Sequence, residues 1–141
     1  MAPNTREHDL LFYDGYCALC HFWVKRVMRH DPDGGLFRYA PLQGETIGEV
    51  LSRERRDALP DSLVVLTTDG RLLTLSRAVT HLVDRLGRPP GLLVMTLAMR
   101  LPRPVADGLY RGVARVRHRV FGRTAQACPM LPPALRHRVL P

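Results

Sequence analysis

Cysteine is scarce in this chain, with three in 141 residues. That is too few for a disulfide-rich secreted module and one short of a four-thiolate zinc ribbon. Long apolar runs are missing too. The richest, Leu92 to Leu101, is about half of what a bilayer-spanning helix requires, and Arg100 interrupts it. Residues Met1 to Asp9 hold no apolar stretch behind a basic start, so no secretory signal is expected and the working compartment is expected to be the cytoplasm. Repeats and low-complexity segments are absent. Lysine is nearly absent, since all but one of the 21 basic residues are Arg, and acidic residues are almost lost from the second half. Residues 1–70 carry 8 Lys/Arg and 11 Asp/Glu, net −3, whereas residues 71–141 carry 13 and 2, net +11. The whole surplus of +8 therefore lies in the C-terminal half, and any anion-binding role belongs there.

What is present suits one compact domain. With 45% apolar residues, a chain of this length can bury roughly two-thirds of its unfolded surface and needs no structural metal. Leu10-Leu11-Phe12-Tyr13 reads as a buried strand ending in the turn pair Asp14-Gly15. Leu19, Phe22, Trp23, Val27 and Met28 recur at helical spacing from Ala18 to His30, and that spacing makes Phe22 and Trp23 core residues. Asp31-Pro32-Asp33-Gly34-Gly35 stops this helix, Leu36 to Ala40 alternates as a second strand closed by Pro41, and a polar helix spans Glu45 to Arg56. Ser62 to Thr67 is a third strand, joined by the hairpin turn Thr68-Asp69-Gly70-Arg71 to Leu72-Leu73-Thr74. Ser76 is positioned to cap a helix that ends at Gly87. The order βαβαββα predicts an α/β core with a small mixed sheet over residues 9–87. Residues 88–141 read as a helical, basic extension of the same domain. It holds a short buried or interfacial helix at Leu92–Leu101 and a longer one from Val105 to Phe121 with an apolar stripe of Leu109, Val113, Val116 and Val120.

Cys17-Ala18-Leu19-Cys20 falls at the junction of the first strand and first helix. Backbone N–H groups at a helix start stabilise a thiolate, and a second cysteine one turn along is close enough to close a disulfide. The pattern makes Cys17 the nucleophile and Cys20 the resolving thiol of a dithiol–disulfide cycle, which needs neither cofactor nor metal. Asp14, three residues before Cys17, has two readings: a carboxylate that relays or tunes the resolving cysteine's proton, or a plain turn former. The pair also admits other readings. Cys17 to His21 matches the attachment signature C-x-x-C-H of a c-type haem, which goes with export. Zinc could be held by Cys17, Cys20, Cys128 and a His, although no second ligand pair has a recognisable spacing. Two inert buried thiols are the plain structural reading. Cys128 is either a further redox thiol or a small apolar tail residue, and nothing around it indicates activation. His21 beside the pair either tunes it or is an ordinary exposed helix histidine.

Phe12-Tyr13-Asp14-Gly15-Tyr16-Cys17-Ala18-Leu19-Cys20 closely resembles the D-G-x-C-x-x-C signature of the DCC family of thiol-disulfide oxidoreductases. The resemblance runs almost the whole chain. It takes in Phe37 to Gln43, the stretch from Ser62 through Asp69-Gly70, Ser76-Arg77-Ala78, Leu101 to Pro104 with Asp107 and Tyr110, and Phe121-Gly122. It implies a thioredoxin-like fold with Asp14, Cys17 and Cys20 as the functional residues, and a thiol or disulfide substrate that is a protein or a small molecule. Thioredoxins proper carry Trp-Cys-Gly-Pro-Cys and a cis-proline directly before a central strand. Here Tyr16 and Ala18-Leu19 stand in the first motif, and Pro60 lies before Asp61-Ser62. The alternative function is an anionic-membrane or nucleic-acid binding module acting through the Arg-rich helix from Val105 to Arg123. The two roles are compatible if that helix makes a peripheral membrane contact. Of its two anionic partners, nucleic acid is the less expected.

Overall fold

The computed structural model describes residues 7–60, 63–98, 100–121 and 137–140. Its centre is strand β1 (Asp9–Tyr13), in which every residue is buried. Side chains alternate across a strand, so β1 feeds two cores. Leu11 and Tyr13 join Phe37, Tyr39 and Val65 under helices α1 (Ala18–Arg29) and α4 (Leu75–Arg85). Leu10 and Phe12 join Ala40, Val64 and Leu66 against α2 (Thr46–Val50). The result is a sheet covered on both faces.

The four-stranded sheet has the order β2-β1-β3-β4, with β2 at Phe37–Pro41, β3 at Val64–Leu66 and β4 at Leu72–Thr74. β1 and β2 are parallel, in a register pairing Asp9 with Phe37 and Tyr13 with Pro41. β3 runs antiparallel to β1, and β4 antiparallel to β3. Pro41 lacks an N–H, but β2 is an edge strand and tolerates it. The predicted hairpin is present: Gly70, at φ +89, donates its N–H to Thr67 O, and Thr67 N–H bonds to Arg71 O. This βαβαββα core with a mixed sheet is thioredoxin-like, as the resemblance implied.

Three elements depart from expectation. The helix expected over Glu45–Arg56 is two short ones, α2 and α3 (Arg53–Asp57). Leu51 between them is extended so that its side chain reaches the second core, and Ser52 Oγ then accepts from Arg55 N–H to start α3. Ser76 does not cap α4. The helix begins at Leu75, which sits at φ +54, and its free N-terminal N–H groups are met from another element: Asp107 on α6 (Arg103–Phe121) accepts from Ser76 N–H at 3.1 Å and from the Ser76 hydroxyl. Helix α6 buries Ala114 and half-buries Ala106 and Tyr110, while Leu109, Val113 and Val116 from the expected stripe stay about half exposed.

Beyond α4, a turn of 3-10 helix at Pro90–Leu92 leads into α5 (Leu93–Ala98). Tyr110 Oη accepts from Leu63 N–H at 2.5 Å, tying α6 to the start of β3. Residues 137–140 return to the outer edge of β2, where Leu140 N–H bonds to Tyr39 O at 2.7 Å. Among the described residues no helix is long and apolar enough to cross a membrane.

Candidate functional site

Parallel pairing of β1 and β2 determines where the chemistry sits. Tyr13 and Pro41 are partners in register, so the residues that follow each strand emerge side by side at one end of the sheet. Asp14-Gly15-Tyr16 thus lies against Leu42-Gln43, and Leu42 N–H donates to Tyr13 O at 2.7 Å. The Gln43 amide clamps the turn. Its Nε2 donates to Asp14 Oδ1 at 2.9 Å and its Oε1 accepts from Gly15 N–H at 2.9 Å. Asp14 Oδ1 also accepts from Tyr16 N–H at 3.0 Å, and Asp14 O accepts from Cys17 N–H at 3.2 Å. One carboxylate oxygen of Asp14 thus holds both its own loop and Gln43.

Cys17 is the N-cap of α1, with extended backbone, and its Sγ accepts from Cys20 N–H at 3.4 Å. The sulfur therefore sits at the N-terminal end of the helix, one turn from Cys20. No disulfide joins the two cysteines in this structure. Cys17 is fully buried (0% exposed), whereas Cys20 is partly exposed.

His21 is buried, against the expectation of an exposed helix histidine. Its Nε2–H donates to Gly15 O at 2.6 Å, and its ring meets Tyr13 edge-on. Burial holds its pKa below the ordinary value of 6.5 and outweighs the opposing hydrogen bond to Gly15; Lys25 also lowers it, and Asp14 raises it slightly. Phe22, expected in the core, is exposed instead, with Arg26 over its ring. The buried face of α1 is His21, Val24, Val27 and Met28, which turns Phe22 outward. The haem reading loses its ligand, because the Nε2 of His21 is already engaged with Gly15.

A groove of about 970 Å³ opens beside the pair. Leu19, Cys20 and Trp23 of α1 form one wall, Val79 of α4 and Leu109 and Val113 of α6 line much of the rest, and Arg71, Arg77 and Arg103 also contribute. Of the two motif cysteines only Cys20 lines it. Trp23 thus contacts the core and a ligand-sized space at once. Among the described residues no group of three or more His, Cys, Asp or Glu side chains gathers as metal ligands would. Cys128, invoked in the zinc reading and as a third thiol, lies outside the described residues.

The structure thus brings Asp14, Cys17 and Cys20 together at one strand-to-helix junction, with His21 buried beside them, and adds Gln43 as a support that the sequence reading did not assign. Gln43 was recoverable in principle. It follows the strand that must pair in parallel with the strand before the motif, and a polar side chain there has a turn to bind. His21 was marked by its place beside the pair but not its burial, because a buried histidine on a helix looks the same in sequence as an exposed one.

A thioredoxin-like sheet with a C-x-x-C pair at the start of its first helix defines a class of protein. Comparison with known proteins narrows it. Residues 11–123 match the DCC1-like thiol-disulfide oxidoreductase family. The chain is 34% identical over its full length to the uncharacterized protein YuxK of Bacillus subtilis strain 168, which it also covers entirely. It is 34% identical to a chloroplastic DCC family protein of Arabidopsis thaliana, over 84% of this chain and 67% of that one. No solved structure matches. The chain belongs to the DCC family.

Proposed function

We propose that this protein is a thiol-disulfide oxidoreductase in which Cys17 and Cys20 alternate between dithiol and disulfide. The observation that carries the reading is the Cys17 sulfur capping α1, with Cys20 one turn along. The Cys17 thiolate attacks one sulfur of a partner disulfide, forming a mixed disulfide and releasing the partner's other sulfur as a thiolate. Cys20 loses its proton and attacks the Cys17 sulfur, so the Cys17–Cys20 disulfide closes and the partner leaves as its second thiolate. Two electrons pass to the partner, and an external dithiol returns them. Because Cys17 is fully buried, its attack requires a local opening that exposes the sulfur. Cys20 lines the groove, and in this reading it resolves the mixed disulfide.

Trapping tests the order of events. Incubated with a disulfide substrate such as oxidised glutathione or insulin, Cys20→Ser is expected to accumulate a mixed disulfide on Cys17, read by intact mass. Cys17→Ser is expected to accumulate none at comparable times. Adducts on Cys20 alone would reverse the two roles, and no adduct on either variant would remove the reading.

A further inference from the structure

Large apolar side chains are seldom left outside a small domain in one block. Among the described residues, Phe22 is the sole exposed large apolar side chain lying outside residues 93–116; Leu93, Leu97, Leu101, Val105, Leu109, Val113 and Val116 all lie within that stretch, each 38–58% exposed. They fall on α5, α6 and the link between them. On α6 the placement is systematic. Ala106, Tyr110 and Ala114 turn toward the protein, so the helix is packed through small side chains and one tyrosine. At 100° per residue, Val105, Leu109, Val113 and Val116 centre roughly 100° around the helix from that packed side. Arg111, Arg115 and Arg119 follow on the side away from the core, all exposed. Residues 93–121 contain six Arg and one acidic residue, Asp107, whose carboxylate is engaged by Ser76.

From this geometry we infer that α5 and α6 form a docking surface for an anionic phospholipid membrane, lying in the plane of the interface. An aliphatic stripe beside a row of guanidinium groups, on a helix roughly 28 Å long, matches a layer that is apolar below and negatively charged above. Nucleic acid fits less well, because a duplex offers phosphates to the arginines but nothing to the valines and leucines. A second copy of the chain fits less well again, since two faces of the same strong positive charge repel. The protein anchors that make tight interfaces are aromatic, and none stands on this stripe. Leu109 and Val113 also line the groove that reaches Cys20, so the docked protein holds that groove next to the lipid.

Flotation of the full chain with vesicles tests the inference. Binding is expected to vesicles of phosphatidylcholine with phosphatidylglycerol, to be at least about tenfold weaker to phosphatidylcholine alone, and to fall as salt is raised. Val105→Glu with Val116→Glu removes the apolar element without touching the groove, and Arg111→Glu with Arg115→Glu removes the charge. Each pair changes exposed positions only and is expected to weaken binding at least about tenfold, with the circular dichroism spectrum unchanged. Equal binding to neutral vesicles, or none to either, overturns the inference. So does binding to duplex DNA that survives the Val105/Val116 change, or a dimer in light scattering that the same change dissolves. Cys17→Ser is expected to float like the wild type, so this result is independent of the redox chemistry.

Discussion

Asp14 Oδ1 holds two partners at once, Tyr16 N–H and the Gln43 amide, and this decides what a substitution there does. Asp14→Asn keeps an acceptor oxygen, so mixed-disulfide formation on Cys17 should stay within about threefold of wild type. Asp14→Ala loses both bonds and should slow it at least about tenfold, through a turn that no longer presents Cys17. Equal losses in the two variants would instead show that the carboxylate, and not only an acceptor oxygen, is needed. His21 supplies a pH test. Burial disfavours its charged form, so the folded chain binds that proton less tightly than the unfolded chain. Its contribution to stability is therefore complete above the ordinary value of 6.5 and is lost as pH falls from there through the lower folded value. Denaturant midpoints should drop more for wild type than for His21→Gln between about pH 7 and about pH 5, and parallel drops would contradict the assignment. At this scale the sequence showed the reactive pair clearly, because C-x-x-C at a strand-to-helix junction is a local pattern. Gln43 was hidden because its role depends on which strand lies beside which, and the burial of His21 because it depends on which face of α1 packs inward.

Helices α4 and α6 are held together by a cap that neither supplies alone. Thr74 makes no side-chain cap, and Asp107 takes its place from 31 residues away at Ser76 N–H. The hydrogen bonds from Ser76 hold the Asp107 carboxyl below the usual carboxylate range, with lesser help from Arg111 and Arg103. Asp107→Ala should lower stability by about 1 kcal/mol, the ordinary value of a helix cap, or about 3–5 °C in Tm. The loss should shrink at low pH, because a carboxylate with a lowered folded pKa contributes above its unfolded value and ceases to as pH falls through the folded one. Hydrogen exchange should quicken at Leu63, whose amide bonds to Tyr110 on the same helix, and unchanged exchange there would argue against the coupling. Periodicity located every strand and most helices, but not where α2 gives way to α3. That break follows from the second core's need for Leu51, which is a tertiary demand. For the same reason the apolar stripe of α6 was visible in the sequence while the face it packs with was not. Small alanines carry little periodic signal, yet they let α6 approach closely.

Across the whole molecule, the parallel β1–β2 pair puts the motif at the C-terminal end of the central strand β1, beside the end of β2. The C-terminal segment contributes from far away in sequence. The Arg138 guanidinium is buried and donates to Asp31 O at 2.7 Å and Pro32 O at 2.6 Å, in the loop between α1 and β2. Arg138→Ala removes both bonds, leaving Asp31 O only the Gly34 N–H, and should cost about 1–3 kcal/mol by chemical denaturation; a loss below measurement would mean that residues 137–140 are not docked there. The charge asymmetry of the sequence foretold a molecule with an acidic redox half and a basic second half, but not that the second half would also wall the groove beside Cys20. The central claim is that Cys17 and Cys20 are a redox couple, and equilibration in thiol–disulfide buffers of graded potential tests it most directly. Peptide mass mapping should show one Cys17–Cys20 disulfide that forms and disappears along a single two-electron curve. Two cysteines that stay reduced across the whole range, or oxidise independently of one another, would contradict it.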